Sequence, residues 1–258
     1  MKQKIILAFS GGNDSTFLLE VIYRFTDRIC HAVFFQTPFV SPKTLESVYT
    51  YLENRGINYT IIPVDLLEDP SIVVNQPDRC YYCKKYMFEE LLSHFDFPGE
   101  NPRFIEGTNF EEAVSEHRPG LAAIEELGLE SPLRKAGLTG EDIARLRKEY
   151  SIPEGVDQIG CLATRIPYDT PITPEILKKI DEAEDFLRKN GFHNVRVRYF
   201  GETARVEVDS GELGQLGQSS IREPFLEHMT ELGFSRVLVD LKGYQKGSLD
   251  LERKGLKK

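Results

Sequence analysis

The chain has 258 residues, a formal net charge of −9, 40% hydrophobic and 28% charged residues, the balance of a globular protein long enough for one large domain or two modest ones. No apolar run approaches a membrane span, and the acidic balance argues against a surface that holds nucleic acid by neutralising phosphates. Met1, Lys2, Gln3 and Lys4 lead directly into an apolar run rather than a signal peptide, so a cytoplasmic location is expected.

Short apolar runs at 5–9, 30–35 and 59–64 alternate with helical patterns near 14–25 and 42–55. A fourth strand, 103–106, follows a helix near 86–95. This alternation predicts an α/β fold, a doubly wound parallel sheet with helices on both faces. Ligands of such sheets bind at the carboxyl ends of the strands, where Ser10 to Thr16, Gln36 with Thr37, and Gly107, Thr108 and Asn109 all fall. Beyond Gly107 the chain reads as loops and short helices, with Thr139 capping a helix over 140–150 that Pro153 ends. From Thr173 the order is a long helix to Lys189, strands 194–200 and 204–208, a helix 221–232 and a strand 236–240. That order suits a second, smaller α+β domain with an antiparallel or mixed sheet. The linker is expected between 159 and 174, giving domains 1–165 and 166–258.

Ser10, Gly11, Gly12, Asn13, Asp14, Ser15 and Thr16 join the first strand to the first helix. Two glycines let backbone turn tightly around an oxyanion, and the first N–H groups of a helix have no intrahelical acceptor. Ser10, Ser15 and Thr16 add hydroxyls. The spacing is neither a Walker A loop nor GxGxxG. It resembles the SGGxDS signature of the PP-loop ATP pyrophosphatases, which have the adenine nucleotide alpha hydrolase-like fold and cleave ATP between the α and β phosphates. That resemblance implies an ATP site, with Asp14 at the position associated with phosphate and Mg²⁺. Gln36 and Thr37 are expected to meet adenine or ribose through backbone, and Gly107 to allow the close approach a nucleotide needs.

Four cysteines are too few and too unevenly spaced for a disulfide framework. Cys30 enters a buried strand and reads as a small core residue. Cys80 and Cys83 form a CxxC pair at the start of a helix, and Cys161 lies far along the chain. The pair alone is compatible with half of a zinc site, completed by Cys161 with His94 or His117, with a redox dithiol, or with part of an iron–sulfur cluster. Three thiolates at a [4Fe-4S] cluster leave one iron open to a substrate or sulfide.

Taken together, residues 10–16, Cys80 with Cys83, residues 106–109, 118–120, 131–133, 136–139 and 161–167 resemble the LarE family of sulfur transferases. The likeness continues through Ala183 and Glu184, residues 196–198 and 204–207, Gly243 with Tyr244, and Gly247 with Ser248, so it spans nearly the whole chain. It implies a PP-loop enzyme that uses ATP to adenylylate a carboxylate of a pyridinium biscarboxylic acid mononucleotide and replaces AMP by sulfur, toward a nickel-pincer cofactor. Some members sacrifice a single cysteine at the position of Cys161. This chain also carries Cys80 and Cys83, as do members that resemble [4Fe-4S]-dependent versions, so the resemblance implies a cluster on Cys80, Cys83 and Cys161 and catalytic sulfur supply. It also suggests a homo-oligomer.

An acidic protein with a doubly acidic, phosphorylated substrate needs local cations. Arg165, Arg196 and Arg198 are the candidates, because alternate positions on a strand project Arg196 and Arg198 to one face. Glu184 matches a family position near that site, although a solvated helix carboxylate fits the local pattern too. Lys84 stands beside the cysteine pair, as a charge partner or a plain surface lysine. Two other readings remain: thiolation of a tRNA base, against which the net charge stands, and a non-enzymatic, zinc-stapled ATP-binding or redox module.

Overall fold

The structure, a computed structural model, describes residues 4–95, 102–114, 119–156 and 160–245. His117, Arg118, Gly247, Ser248 and the basic tail lie outside the described residues, as do residues 157–159 of the expected linker. The chain divides into two compact units: residues 1–72 with 76–160, and residues 73–75 with 161–258.

The first unit is built on four strands, β1 (Lys4–Ala8), β2 (Ile29–Gln36), β3 (Tyr59–Pro63) and β4 (Arg103–Glu106), parallel throughout and ordered β3-β2-β1-β4. Ile5, Ile6 and Leu7 are all buried, as a strand covered on both faces requires. Helices α1 (Asn13–Phe25), α2 (Pro42–Asn54), α3 (Pro70–Val73) and α4 (Arg79–His94) fall between these strands. Ser41 caps α2 by accepting the Thr44 N–H, with Pro42 in the first turn. α4 starts seven residues ahead of the helix predicted near 86–95, and the CxxC pair lies at its start, as expected. After β4 come α5 (Phe110–Val114), α6 (Pro119–Glu126), α7 (Pro132–Lys135) and α8 (Gly140–Glu149). Thr139 caps α8 as expected, in a reciprocal capping box with Asp142. Phe9, Phe17, Leu19, Phe34, Val48 and Leu52 centre the core.

Because β1 runs on to β2 and β3 on one side while β4 lies on the other, strand order reverses between β1 and β4. The loops after these two strands therefore flank the crevice where open α/β sheets take ligands.

The second unit contains the 3₁₀ turn Leu162–Arg165, α9 (Pro174–Lys189), β5 (Arg196–Phe200), β6 (Thr203–Glu207), the turn Ser210–Glu212, α10 (Leu213–Leu216), α11 (Ser219–Glu231) and β7 (Arg236–Val239). Its sheet is mixed, β5 antiparallel to β6 and β6 parallel to β7. Val197, Ala204 and Val206 pack with Ala183, Leu187, Phe225 and Met229. By the alternation of strands, Arg196, Arg198, Arg205 and Glu207 share the opposite face.

Asn75, wholly buried and at φ 57°, belongs to this unit by its bonds. Its side-chain amide donates to the carbonyls of Ile166 (3.3 Å), Pro167 (2.8 Å) and Thr170 (3.1 Å). Its own carbonyl accepts the Asp169 N–H.

Candidate functional site

In the first unit, residues 10–16 make the strand-to-helix turn that the glycines require. Gly11 has φ 78°, and Gly12 is the N-cap of α1 without a capping side chain, so the first-turn N–H groups of the helix lack an intrahelical acceptor. The hydroxyls are arranged around that turn: Ser10 Oγ and Ser15 Oγ are 3.0 Å apart, Ser15 donates to the Gly12 carbonyl (3.1 Å), and Thr16 to the Gly11 carbonyl (3.3 Å). The loop after β4 closes on it. The Asn109 amide donates to Asp14 Oδ2 at 2.8 Å, and a Cβ on Gly107 would lie 3.0 Å from the backbone of Ser15. Gly107 thus allows a close approach of the loop after β4 to Ser15.

Glu106, buried at the end of β4, organises that second loop. It accepts the Thr108 N–H (3.1 Å) and hydroxyl (2.6 Å) and the Ser131 hydroxyl, and Lys84 Nζ stands 4.0 Å away. Thr108 therefore spends its donors inside the loop, and Lys84 is tied to a buried carboxylate rather than being only a surface cation. Gln36 is exposed at the end of β2; Thr37 is buried, its hydroxyl accepting the Phe39 N–H at 3.2 Å.

Cys80 and Cys83 occupy the first turns of α4, three residues apart and so on one face, Cys80 exposed and Cys83 buried. Arg79 Nη2 lies 3.7 Å from Cys80 Sγ, an electrostatic partner for charge on that sulfur. Cys161, exposed, precedes the 3₁₀ turn of the second unit. Cys30 is packed against the core, and burial pushes its thiol up to about 12, as befits an inert residue. His94 ends α4, about 16 Å of helix rise from Cys83, so it is no partner for that pair. Among the described residues no three or more His, Cys, Asp or Glu side chains are gathered into a metal site. Two of the three thiols, Cys80 and Cys83, share a helical face.

The predicted cations of the second unit are present but differently employed. Arg165 is almost wholly buried and pairs with Glu184 through two bonds, Nε to Oε1 at 2.8 Å and Nη2 to Oε2 at 3.0 Å. Glu184 also takes Arg188 and the Val197 N–H on edge strand β5 (2.9 Å). The solvated-carboxylate alternative for Glu184 is thus excluded. Burial pushes the Glu184 carboxyl up, but the charge and hydrogen bonds of Arg165, with Arg188 and Arg196, outweigh it and hold the group below the usual carboxylate range. Arg198 is buried and makes the same fork with Glu207, at 3.0 and 2.8 Å, and donates to the Thr164 carbonyl. Arg205 shares Glu207.

Arg196 differs. It donates Nη1 to the Val195 carbonyl (2.7 Å) and lies over the Tyr244 ring at 5.0 Å, but no carboxylate stands within ion-pair distance of it among the described residues. Burial first, and then the charge of Arg165, lower it to about 10. An anion beside Arg196 would reverse that shift. Four guanidinium groups, Arg165, Arg188, Arg198 and Arg205, thus share two buried carboxylates, Glu184 and Glu207, and Arg196 pairs with neither. Arg188 was not singled out in the sequence, and Glu207 was named only within the resembling stretch 204–207, without a pairing role. The signal for a paired Glu184 was its place on the apolar stripe of Leu177, Ile180 and Leu187.

No family model matches the chain. The chain is 32% identical over 243 residues to the uncharacterized protein MJ0830 of Methanocaldococcus jannaschii, covering 94% of this chain and 91% of that one. It is 29% identical over 248 residues to the uncharacterized protein slr1717 of Synechocystis, covering 96% and 92%. It is also 29% identical over 250 residues to the pyridinium-3,5-bisthiocarboxylic acid mononucleotide synthase of Lactiplantibacillus plantarum, covering 96% and 89%.

Proposed function

Because the chain belongs to the same family as MJ0830 and matches the pyridinium-3,5-bisthiocarboxylic acid mononucleotide synthase along nearly its whole length, we propose that it is an ATP-dependent sulfur transferase acting on a carboxylate of a pyridinium mononucleotide. The observation that carries this reading is Arg196, a half-buried guanidinium without a carboxylate partner among the described residues, in a cluster rich in arginine, inside a protein of net charge −9. Such a cluster suits a substrate with a phosphate and two carboxylates.

In the first unit, residues 10–16 hold the β and γ phosphates of ATP, with Asp14 at the Mg²⁺ ion. The substrate carboxylate attacks the α phosphorus; pyrophosphate leaves, and the loop's N–H groups offset its charge. The acyl-adenylate turns an oxide, a hopeless leaving group, into AMP. A sulfur nucleophile then adds to the acyl carbon, the C–O bond to AMP breaks, and a thiocarboxylate remains. Cys80, Cys83 and Cys161 would hold a [4Fe-4S] cluster, which when bound supplies the sulfur. Arg196 orients the substrate phosphate, while Arg165 and Arg198 set the strand and turn around it through Glu184 and Glu207. The protein works as a homo-oligomer in the cytoplasm.

The test is incubation of anaerobically reconstituted protein with ATP, Mg²⁺, sulfide and the biscarboxylate mononucleotide, read by mass for sulfur in the product and by AMP release. More than one sulfur per protein supports the reading. Zinc in place of iron with no AMP formed overturns it in favour of a binding module, and salt-sensitive tRNA binding with a thiolated base overturns it in favour of RNA modification. Arg196→Ala should raise KM for the mononucleotide about tenfold to a hundredfold with KM for ATP unchanged, the value of one or two charge-assisted hydrogen bonds.

A further inference from the structure

The segment 147–156 of the first unit lies against the back of the anion loop. Arg147 is one helical turn beyond Ile143 on the buried stripe of α8. Its Nε donates to the Pro153 carbonyl (3.1 Å) and its Nη1 to Asn13 Oδ1 (2.9 Å). The same Asn13 oxygen accepts the Gly155 N–H at 2.9 Å, and the next N–H, of Val156, donates to the Gly11 carbonyl at 2.8 Å. Gly155 must be glycine because of contact, since its φ is outside the left-handed region: a Cβ there would stand 2.6 Å from Asn13 N and from Gly12 C, and 2.8 Å from the Gly11 oxygen.

The consequence follows from the planar trans peptide, whose C=O and N–H point in opposite directions. The Gly11 carbonyl is drawn back by the Val156 N–H and by the Thr16 hydroxyl, so the Gly12 N–H is aimed the other way, toward Ser10 Oγ at 3.4 Å. Two adjacent glycines would otherwise sample many orientations of that peptide. The fork on Asn13 fixes the following residue, the first of α1, in the same way.

We infer that Arg147 and Gly155 are positioning residues for pyrophosphate capture: by holding the Gly11–Gly12 peptide and the Asn13 side chain from behind, they fix the loop in the shape that presents the Ser10 hydroxyl, held by the Gly12 N–H, and the start of α1 to the anion. Asn13 is thereby committed to the scaffold and not to the ligand. The inference rests on residues 10–16 being a phosphate loop and deepens that reading.

Titration calorimetry of the full chain with Mg²⁺ and inorganic pyrophosphate tests it, alongside thermal midpoints. Wild type binds; Asn13→Ala, Arg147→Ala and Gly155→Ala should each bind about tenfold or more weakly, and the Asn13→Ala/Arg147→Ala pair should lose less than the product of the two single losses, because the Arg147–Asn13 bond is common to both. Asn13→Ala leaves the Arg147 bond to Pro153 intact, so it decides the matter if Arg147→Ala folds poorly. A purely structural role would lower the midpoint and leave the affinity of the folded protein unchanged. Wild-type binding with unchanged affinity in Asn13→Ala and Arg147→Ala overturns the inference alone; a wild type that takes up no pyrophosphate overturns the phosphate-loop reading beneath it.

Discussion

Replacing Cys161 with serine should abolish sulfur incorporation, a loss of about a thousandfold or more, while AMP and pyrophosphate are still formed from ATP and the carboxylate substrate. A serine hydroxyl has no sulfur to give and is a far weaker metal ligand and nucleophile than a thiolate. Cys161 begins the second unit, and the residues proposed to handle ATP phosphates belong to the first, so the activation half-reaction keeps its own hydrogen-bonded scaffold. Mass spectrometry of the product, with AMP counted in the same sample, separates the two halves. Full sulfur insertion by Cys161→Ser would sink the assignment, as would a dehydroalanine at position 161 formed stoichiometrically with product by the wild type, which would make Cys161 a sacrificial donor.

The second large effect is on stability. Glu184→Gln should destabilise the protein by about 3–5 kcal/mol, because Arg165 and Arg188 would be left buried without their counter-charge. The thermal midpoint would fall by about 10 °C. The pH dependence has a definite sign. The folded-state Glu184 carboxyl lies below its ordinary value of 4.5, so its contribution is complete above that pH and is lost as the pH falls through the lower, folded-state value. The gap between wild type and Glu184→Gln should therefore be widest near neutrality and shrink below about pH 4.5. A constant gap across that range would show that the lost interaction is packing and not charge.

What could be read in the sequence were the features with a local cause. The tight glycine turn between β1 and α1, the parallel sheet and the Thr139 cap each follow from a few adjacent residues whose periodicity or backbone freedom allows one structure. The side-to-side placement of Arg196 and Arg198 followed from strand alternation alone. Their different employment did not: Arg198 meets Glu207 only through the β5–β6 register, and Arg165 meets Glu184 only after α9 has docked. Arg147 is illegible for the same reason, since 134 residues separate it from Asn13. In both cases a charged residue on an apolar helical stripe announces that it has a partner, without saying which.

Asn75 has a bearing on how this chain can be made and cut. The three carbonyls it satisfies, at Ile166, Pro167 and Thr170, are synthesised more than ninety residues after it, as the 91-residue separation from Ile166 records. On a ribosome the second unit cannot complete itself from its own contiguous stretch; it waits with a borrowed tripeptide, residues 73–75, already translated. A fragment starting at Cys161 would carry α9 and the whole mixed sheet yet present a turn of unanswered carbonyls. Conversely, a single nick after Gly160 would not free a self-sufficient piece, because the tripeptide would stay with the other fragment. Two fragments cut at that point should complete the second unit only when supplied together.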